Sequence, residues 1–189
     1  MAFSTTSLMT DMYELTMVDA AIASGTAERK CVFEAFGRRL PGERRYGVVC
    51  GTGRLLEAIR DFRFNPEEIE YLASRAIVSD RTAEYLANYR FTGDVYGYAE
   101  GECYFPHSPV LTVTGSFAEC VVLETVILSI LNHDSAVATA ALIKPDEGSV
   151  IGALDRELVT SMVSFLGSHQ LLGDTAVTSE TICDPLLTV

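Results

Sequence analysis

Asp11 and Tyr13 stand together near the start of the chain, in the stretch Thr10-Asp11-Met12-Tyr13-Glu14-Leu15-Thr16-Met17. They set a carboxylate that accepts hydrogen bonds and a phenol that donates one at the mouth of a helix. A second group is the loop Gly37-Arg-Arg-Leu-Pro-Gly-Glu-Arg-Arg45. Guanidinium forks clamp phosphate or carboxylate bidentately, so Arg38 and Arg39 are candidate anion contacts; the same charge run also serves as a plain solvated face. Gly51-Thr52-Gly53 follows a strand and opens a helix, a place where phosphate can bind. It lacks the third glycine of a dinucleotide fingerprint and the Lys-Ser/Thr of a P-loop, and it reads as a tight turn. His133 adjoins Asp134, but adjacent helical residues do not face each other, so no acid–base pair is expected there. His107, between two prolines, reads as a turn residue with its tip in solvent. The five cysteines include no C-x-x-C pair and have no histidine at ligand spacing, so no metal site is read.

The elements that position these residues follow from periodicity and punctuation. Met12, Leu15, Val18 and Ile22 form one apolar helical face, Thr10 or Asp11 caps it with Glu14 at capping-box spacing, and Gly25 stops it. Cys31–Phe36 and Tyr46–Cys50 read as strands, and Arg54–Phe62 as a helix with Leu55, Leu56, Ile59 and Phe62 inward. Asn65-Pro66-Glu67-Glu68 and Ser79-Asp80 are helix starts, with Ile69, Leu72 and Leu86 on the buried sides. From Phe91 to Gly115, glycines, prolines and β-formers predict three short strands of an antiparallel meander. Ser116-Phe-Ala-Glu119 is a capping box opening an interior helix to Leu131, in which Glu124 requires a partner or a cavity edge. Asn132-His133-Asp134-Ser135 is expected to interrupt it, with a small-residue helix resuming at Ala136–Ala141. Beyond Leu142 the texture changes; Asp155–Leu166 could be helical, with Leu158, Met162 and Phe165 inward.

Composition narrows the function classes. The chain has 189 residues, is 48% hydrophobic and carries a net charge of −12. It can build a core, and it lacks the basic footprint that nucleic acid or an anionic membrane requires. Glu119 and Glu124 interrupt the most apolar window, 117–131, which falls short of a membrane span. No signal peptide is evident, and cysteines in apolar runs suit a reduced compartment, so a cytoplasmic location is expected.

The opening octet resembles the T-D-x-Y-x-L-T-M motif of nicotinate phosphoribosyltransferases. Further stretches agree in order: Phe33-Glu-Ala-Phe-Gly-Arg-Arg-Leu-Pro41, Tyr46 to Leu56, Phe91-Thr-Gly-Asp94, Glu100-Gly-Glu102, Phe105-Pro106, Leu123-Glu-Thr125, Leu131-Asn132 and the Ala-Thr-Ala of 138–140. The wording is most similar to actinobacterial members, over residues 5 to about 141. The resemblance implies an α+β N-terminal domain of helices and short antiparallel strands (1–115), then the opening helix of an incomplete α/β barrel (116–141). Residues 142–189 do not match. It also implies a homodimer that joins nicotinate to 5-phosphoribosyl 1-diphosphate with Mg²⁺ and coupled ATP hydrolysis, on the route to NAD. By motif, Tyr13 would stack on the pyridine ring, reaching the partner subunit's site, and Asp11 would line the same pocket.

The family's Gly-Ser-Arg-Arg type segment, its phosphorylatable histidine and its ribose-phosphate loops are not matched, and His169 in Leu-Gly-Ser-His-Gln lies in another context. No catalytic residue is therefore assigned, and the chain alone is expected to be inactive; residues 142–189 read either as the product of a truncated or frameshifted reading frame or as a genuine divergent terminus. A non-catalytic dimerisation remnant and a sister enzyme using nicotinamide or quinolinate are the alternatives.

Overall fold

A helix that begins at Met12 needs a stop, and Gly25 supplies it in the left-handed conformation, φ 73°, with its N–H bonded back to Ala21 and Ile22. This is α1, Met12–Ser24. The computed structural model describes residues 6–40 and 44–143. After a 3-10 turn at Ser7–Met9 and α1 come β1 (Lys30–Phe36), β2 (Gly47–Val48), α2 (Thr52–Asp61), α3 (Pro66–Ser74) and α4 (Asp80–Ala87). Then follow β3 (Asp94–Gly97), β4 (Cys103–Tyr104), β5 (Pro109–Ser116), α5 (Phe117–Val121) and α6 (Glu124–Ile143). The helix read at 155–166 lies outside the described residues.

Two compact units arise from interleaved segments. One takes in the described residues within Met1–Phe33, Glu57–Val95 and Val113–Leu128; the other takes in those within Glu34–Leu56, Tyr96–Thr112 and Ser129–Val189. The first packs α1 on α4 and α5, and α3 on α4. Leu15, Val18 and Ile22 of α1 are buried with Leu72, Leu86, Val121 and Leu123. Phe62, Phe64 and Tyr89 meet edge to face, with ring centroids 5.5 to 6.3 Å apart. Met12 departs from the expected apolar face: it is 66% exposed, because it precedes the first full turn that meets the core.

Capping is where sequence and structure agree best. Asn65 and Ser116 each complete a reciprocal capping box, with Glu68 and Glu119. Ser79 caps α4 and also donates to Asp19 of α1, which accepts from the Thr82 hydroxyl as well, at 2.6 Å each. These bonds hold the Asp19 carboxyl below its usual range.

The second unit is held by buried hydroxyls. Val48 N–H donates to Thr139 Oγ1 at 2.9 Å and Cys50 N–H to Ser135 Oγ at 3.0 Å. Ala138, Ala141 and Leu142 pack with Cys50. β2 pairs antiparallel with β4, Gly47 opposite Tyr104, whose ring occupies the space a Cβ at residue 47 would need.

Three expectations are corrected. The strands after Phe91 do not form a meander: the three-stranded sheet has the order β1-β5-β3, and β4 leaves to pair with β2. The interior helix breaks at Val122–Leu123, not at 132–135, where α6 runs on unbroken. The Thr10 hydroxyl lies 2.6 Å from the Val122 carbonyl, satisfying it from outside the helix, while Ser135 turns its hydroxyl inward to Cys50. Finally, Phe117–Leu142 is long and apolar enough by composition to cross a membrane, although half of its most apolar window is buried inside the protein.

Candidate functional site

Asp11 is the residue from which α1 departs, with extended backbone at φ −71° and ψ 147°. The Glu14 N–H closes the first turn on the Asp11 carbonyl at 3.0 Å. No side chain caps this end, contrary to the capping expected from Thr10 or Asp11, and the Asp11 carboxylate is exposed. Glu14, expected at capping-box spacing, points into the core and is 0% exposed. One of its oxygens accepts the Thr125 N–H and hydroxyl at 3.2 and 2.6 Å; the other lies 2.6 Å from Thr10 Oγ1. Burial raises the Glu14 carboxyl from its ordinary value and outweighs the opposing contacts with Thr10 and Thr125, and the charge of Glu124 adds to the rise.

Tyr13, the next residue back, is 46% exposed. Glu124, the carboxylate that breaks the apolar pattern of α6, is the group that most perturbs its phenol: as an acceptor it favours the protonated form, and with desolvation and the charges of Glu124, Glu14 and Asp11 it pushes the phenol up to about 12. Tyr13 therefore stays protonated across the physiological range. The outcome is an aromatic ring partly open to solvent, beside an exposed carboxylate on the same helix start.

In the second unit, Arg38 and Arg39 are both exposed. The turn at Gly51 has φ 96°, and the N–H groups of Gly51 and Gly53 donate to the two oxygens of Glu100, each at 3.0 Å. A carboxylate of the protein's own thus satisfies this helix start, in line with a structural turn. Arg54 forks onto Asp134 at 2.7 and 3.0 Å. His133 does meet Asp134, Nδ1 to Oδ1 at 2.8 Å, against the expectation from helical spacing. The His133 side chain is 74% exposed and unpacked, so it can fold back onto its neighbour. His107 sits at φ 67° in a turn, exposed as expected, its ring centroid 6.1 Å from that of Phe36. Thiol chemistry has little support here: Cys50 and Cys120 are buried, and desolvation first of all pushes both up to about 12.

Sequence reasoning singled out Asp11 and Tyr13 and did not assign their surroundings, Glu124, which perturbs the Tyr13 phenol, and the Glu14–Thr10–Thr125 cluster. Both left a signal. Glu124 interrupts an apolar run, and Glu14 precedes Val18 and Ala21 by four and seven residues, which places it on the buried stripe.

Solved structures establish the fold class first. The chain is similar to human nicotinic acid phosphoribosyltransferase, with a TM-score of 0.65 and 30% identity over 70% of this chain and 27% of that one. It shares a fold with the nicotinate-nucleotide pyrophosphorylase of Pyrococcus furiosus, at a TM-score of 0.53 and 23% identity over 72% and 27% of the two chains. Residues 8–132 match the nicotinate phosphoribosyltransferase N-terminal domain. The nicotinate phosphoribosyltransferase pncB1 of Mycobacterium tuberculosis (strain ATCC 25618 / H37Rv) is 60% identical over 134 residues, 71% of this chain. The chain belongs to the nicotinate phosphoribosyltransferase family. It spans 30% of the length of that mycobacterial relative.

Proposed function

We propose that this chain supplies the N-terminal domain of an enzyme that joins nicotinate to 5-phosphoribosyl 1-diphosphate, giving nicotinate mononucleotide and diphosphate with coupled ATP hydrolysis, in NAD biosynthesis. The observation that carries this reading is the Tyr13 ring, open to solvent at the start of α1, within a segment 60% identical to the mycobacterial enzyme. An electron-poor pyridine suits such a platform. The Asp11 carboxylate lines the same pocket, where it favours a ring nitrogen that turns cationic as it displaces diphosphate at the ribose carbon. Arg38 and Arg39 serve as contacts for an anionic group.

Residues 1–115 act in this reading as the α+β domain and 116–141 as the opening helix of a barrel, in a cytoplasmic homodimer whose partner subunit receives Tyr13. Among the described residues no group of three or more His, Cys, Asp or Glu comes together as a metal site. Mg²⁺ would therefore arrive on the substrate's phosphates, where it would offset the charge of the departing diphosphate.

The test is a chimera in which residues 8–141 replace the matching segment of the mycobacterial relative. It should form nicotinate mononucleotide from nicotinate, 5-phosphoribosyl 1-diphosphate, ATP and Mg²⁺, and little product from nicotinamide. A folded but inactive chimera, or one indifferent to the two pyridines, would contradict the assignment. The 189-residue chain by itself should form none.

A further inference from the structure

Glu14 presents its two oxygens to different chemistry. Oε1 faces two donors, the N–H and the hydroxyl of Thr125, at 3.2 and 2.6 Å. Oε2 lies 2.6 Å from Thr10 Oγ1, and that same Thr10 oxygen lies 2.6 Å from the carbonyl oxygen of Val122. A hydroxyl has one proton, and a carbonyl oxygen can only accept. The contact with Val122 therefore takes the Thr10 proton, since two acceptor oxygens so close with no proton between them repel. Thr10 is left with lone pairs to offer Glu14, and the proton on that second contact has to come from the carboxyl group.

We propose that Glu14 is carried in the folded protein as a neutral carboxylic acid that donates from Oε2 to Thr10, and that this chain of bonds is what positions the start of α1 on the Val122–Leu123 break. The chain then reads Glu14 O–H to Thr10, Thr10 O–H to the Val122 carbonyl, and Thr125 back to Glu14 Oε1. Every polar atom in it is matched as donor or acceptor, which an ionised Glu14 does not allow. The break between α5 and α6 exposes the Val122 carbonyl to this bond, so the acid and the break belong to one construction.

The charged surroundings agree. Glu124 of α6 adds negative charge against Glu14. At the start of α1, Asp11 and Tyr13 are exposed, and the Tyr13 phenol stays protonated. On α5, Glu119 is engaged by Thr92 and Ser116, and on α4 Asp80, Arg81 and Glu84 are exposed. Neutral Glu14 removes a second negative charge from beside Tyr13 and Glu124. Its importance for the pyridine pocket rests on the function proposed above; its protonation does not.

The sign of the pH effect follows from linkage. The folded protein holds the Glu14 proton above the ordinary carboxyl range, whereas the unfolded chain loses it within that range. Stability from this group is full at acid pH and falls as pH rises through the ordinary value towards the folded one. Glu14→Gln mimics the neutral acid, with an amide that donates to Thr10 and a carbonyl that accepts from Thr125. Thermal unfolding of the full 189-residue chain should show E14Q close to wild type near pH 4 and more stable by a few degrees at about pH 7. Carbon-13 spectra of glutamate-labelled wild type should contain one carboxyl, absent from E14Q, that loses its proton only after the other glutamates have lost theirs. An E14Q chain destabilised across the whole pH range would overturn the proposal. So would wild-type spectra in which every glutamate carboxyl titrates in the ordinary range, a result that stands even if the variant fails to fold.

Discussion

At the residue scale, Glu124 governs the titration of Tyr13: it is the largest of the causes that push the phenol up to about 12, so neutralising it should undo much of the shift. In an absorbance titration of tyrosinate formation, Glu124→Gln should bring one additional tyrosine down towards the ordinary range near pH 10. An unchanged titration would mean that Glu124 does not perturb Tyr13. The two ends of this pair were unequally legible. Tyr13 announced itself by its motif, while Glu124 showed only as a misfit in an apolar helix, a pattern that states the need for a partner but not its identity. Glu14 was misjudged because local spacing fits a capping box equally well, and only burial against α5 and α6 decides between the two.

At the scale of elements, local chemistry was readable and long-range pairing was not. The boxes at Asn65 and Ser116 formed as their spacing dictates, since a cap involves residues three apart. Two-residue strands such as β2 and β4 carry no alternation, so nothing in sequence predicts their union. Asp19 couples a cap to tertiary structure by accepting from Ser79 and Thr82 at the start of α4. Ser79→Ala should cost about 1 kcal/mol in urea unfolding. The Asp19 carboxyl sits below its ordinary value in the folded state, so its contribution is complete above that value and is lost as pH falls through the lowered one. Asp19→Asn should flatten that acid limb. Gly51→Ala should cost about 1–2 kcal/mol from the left-handed backbone alone. It should cost more because its Cβ would come within 2.6 Å of Asp134 Oδ2 and disturb the Arg54 fork. An unchanged urea midpoint for G51A would show that the turn is not fixed as described.

For the whole molecule, family membership and element types were legible because the motifs are dense and ordered between Thr10 and Ala140. The two interleaved units were not, since each gathers three stretches far apart in sequence. Within the first unit, capped helices and the buried Glu14–Thr10–Thr125 cluster present one aromatic ring and one carboxylate at the start of α1. The central claim is that this ring serves as a platform for pyridine. Its most direct test is the nicotinate KM of the chimera carrying Tyr13→Ala. Loss of stacking worth roughly 1.4 kcal/mol predicts a KM about tenfold higher, with the melting temperature of the chimera little changed. A KM for nicotinate equal to that of the unsubstituted chimera would contradict the account.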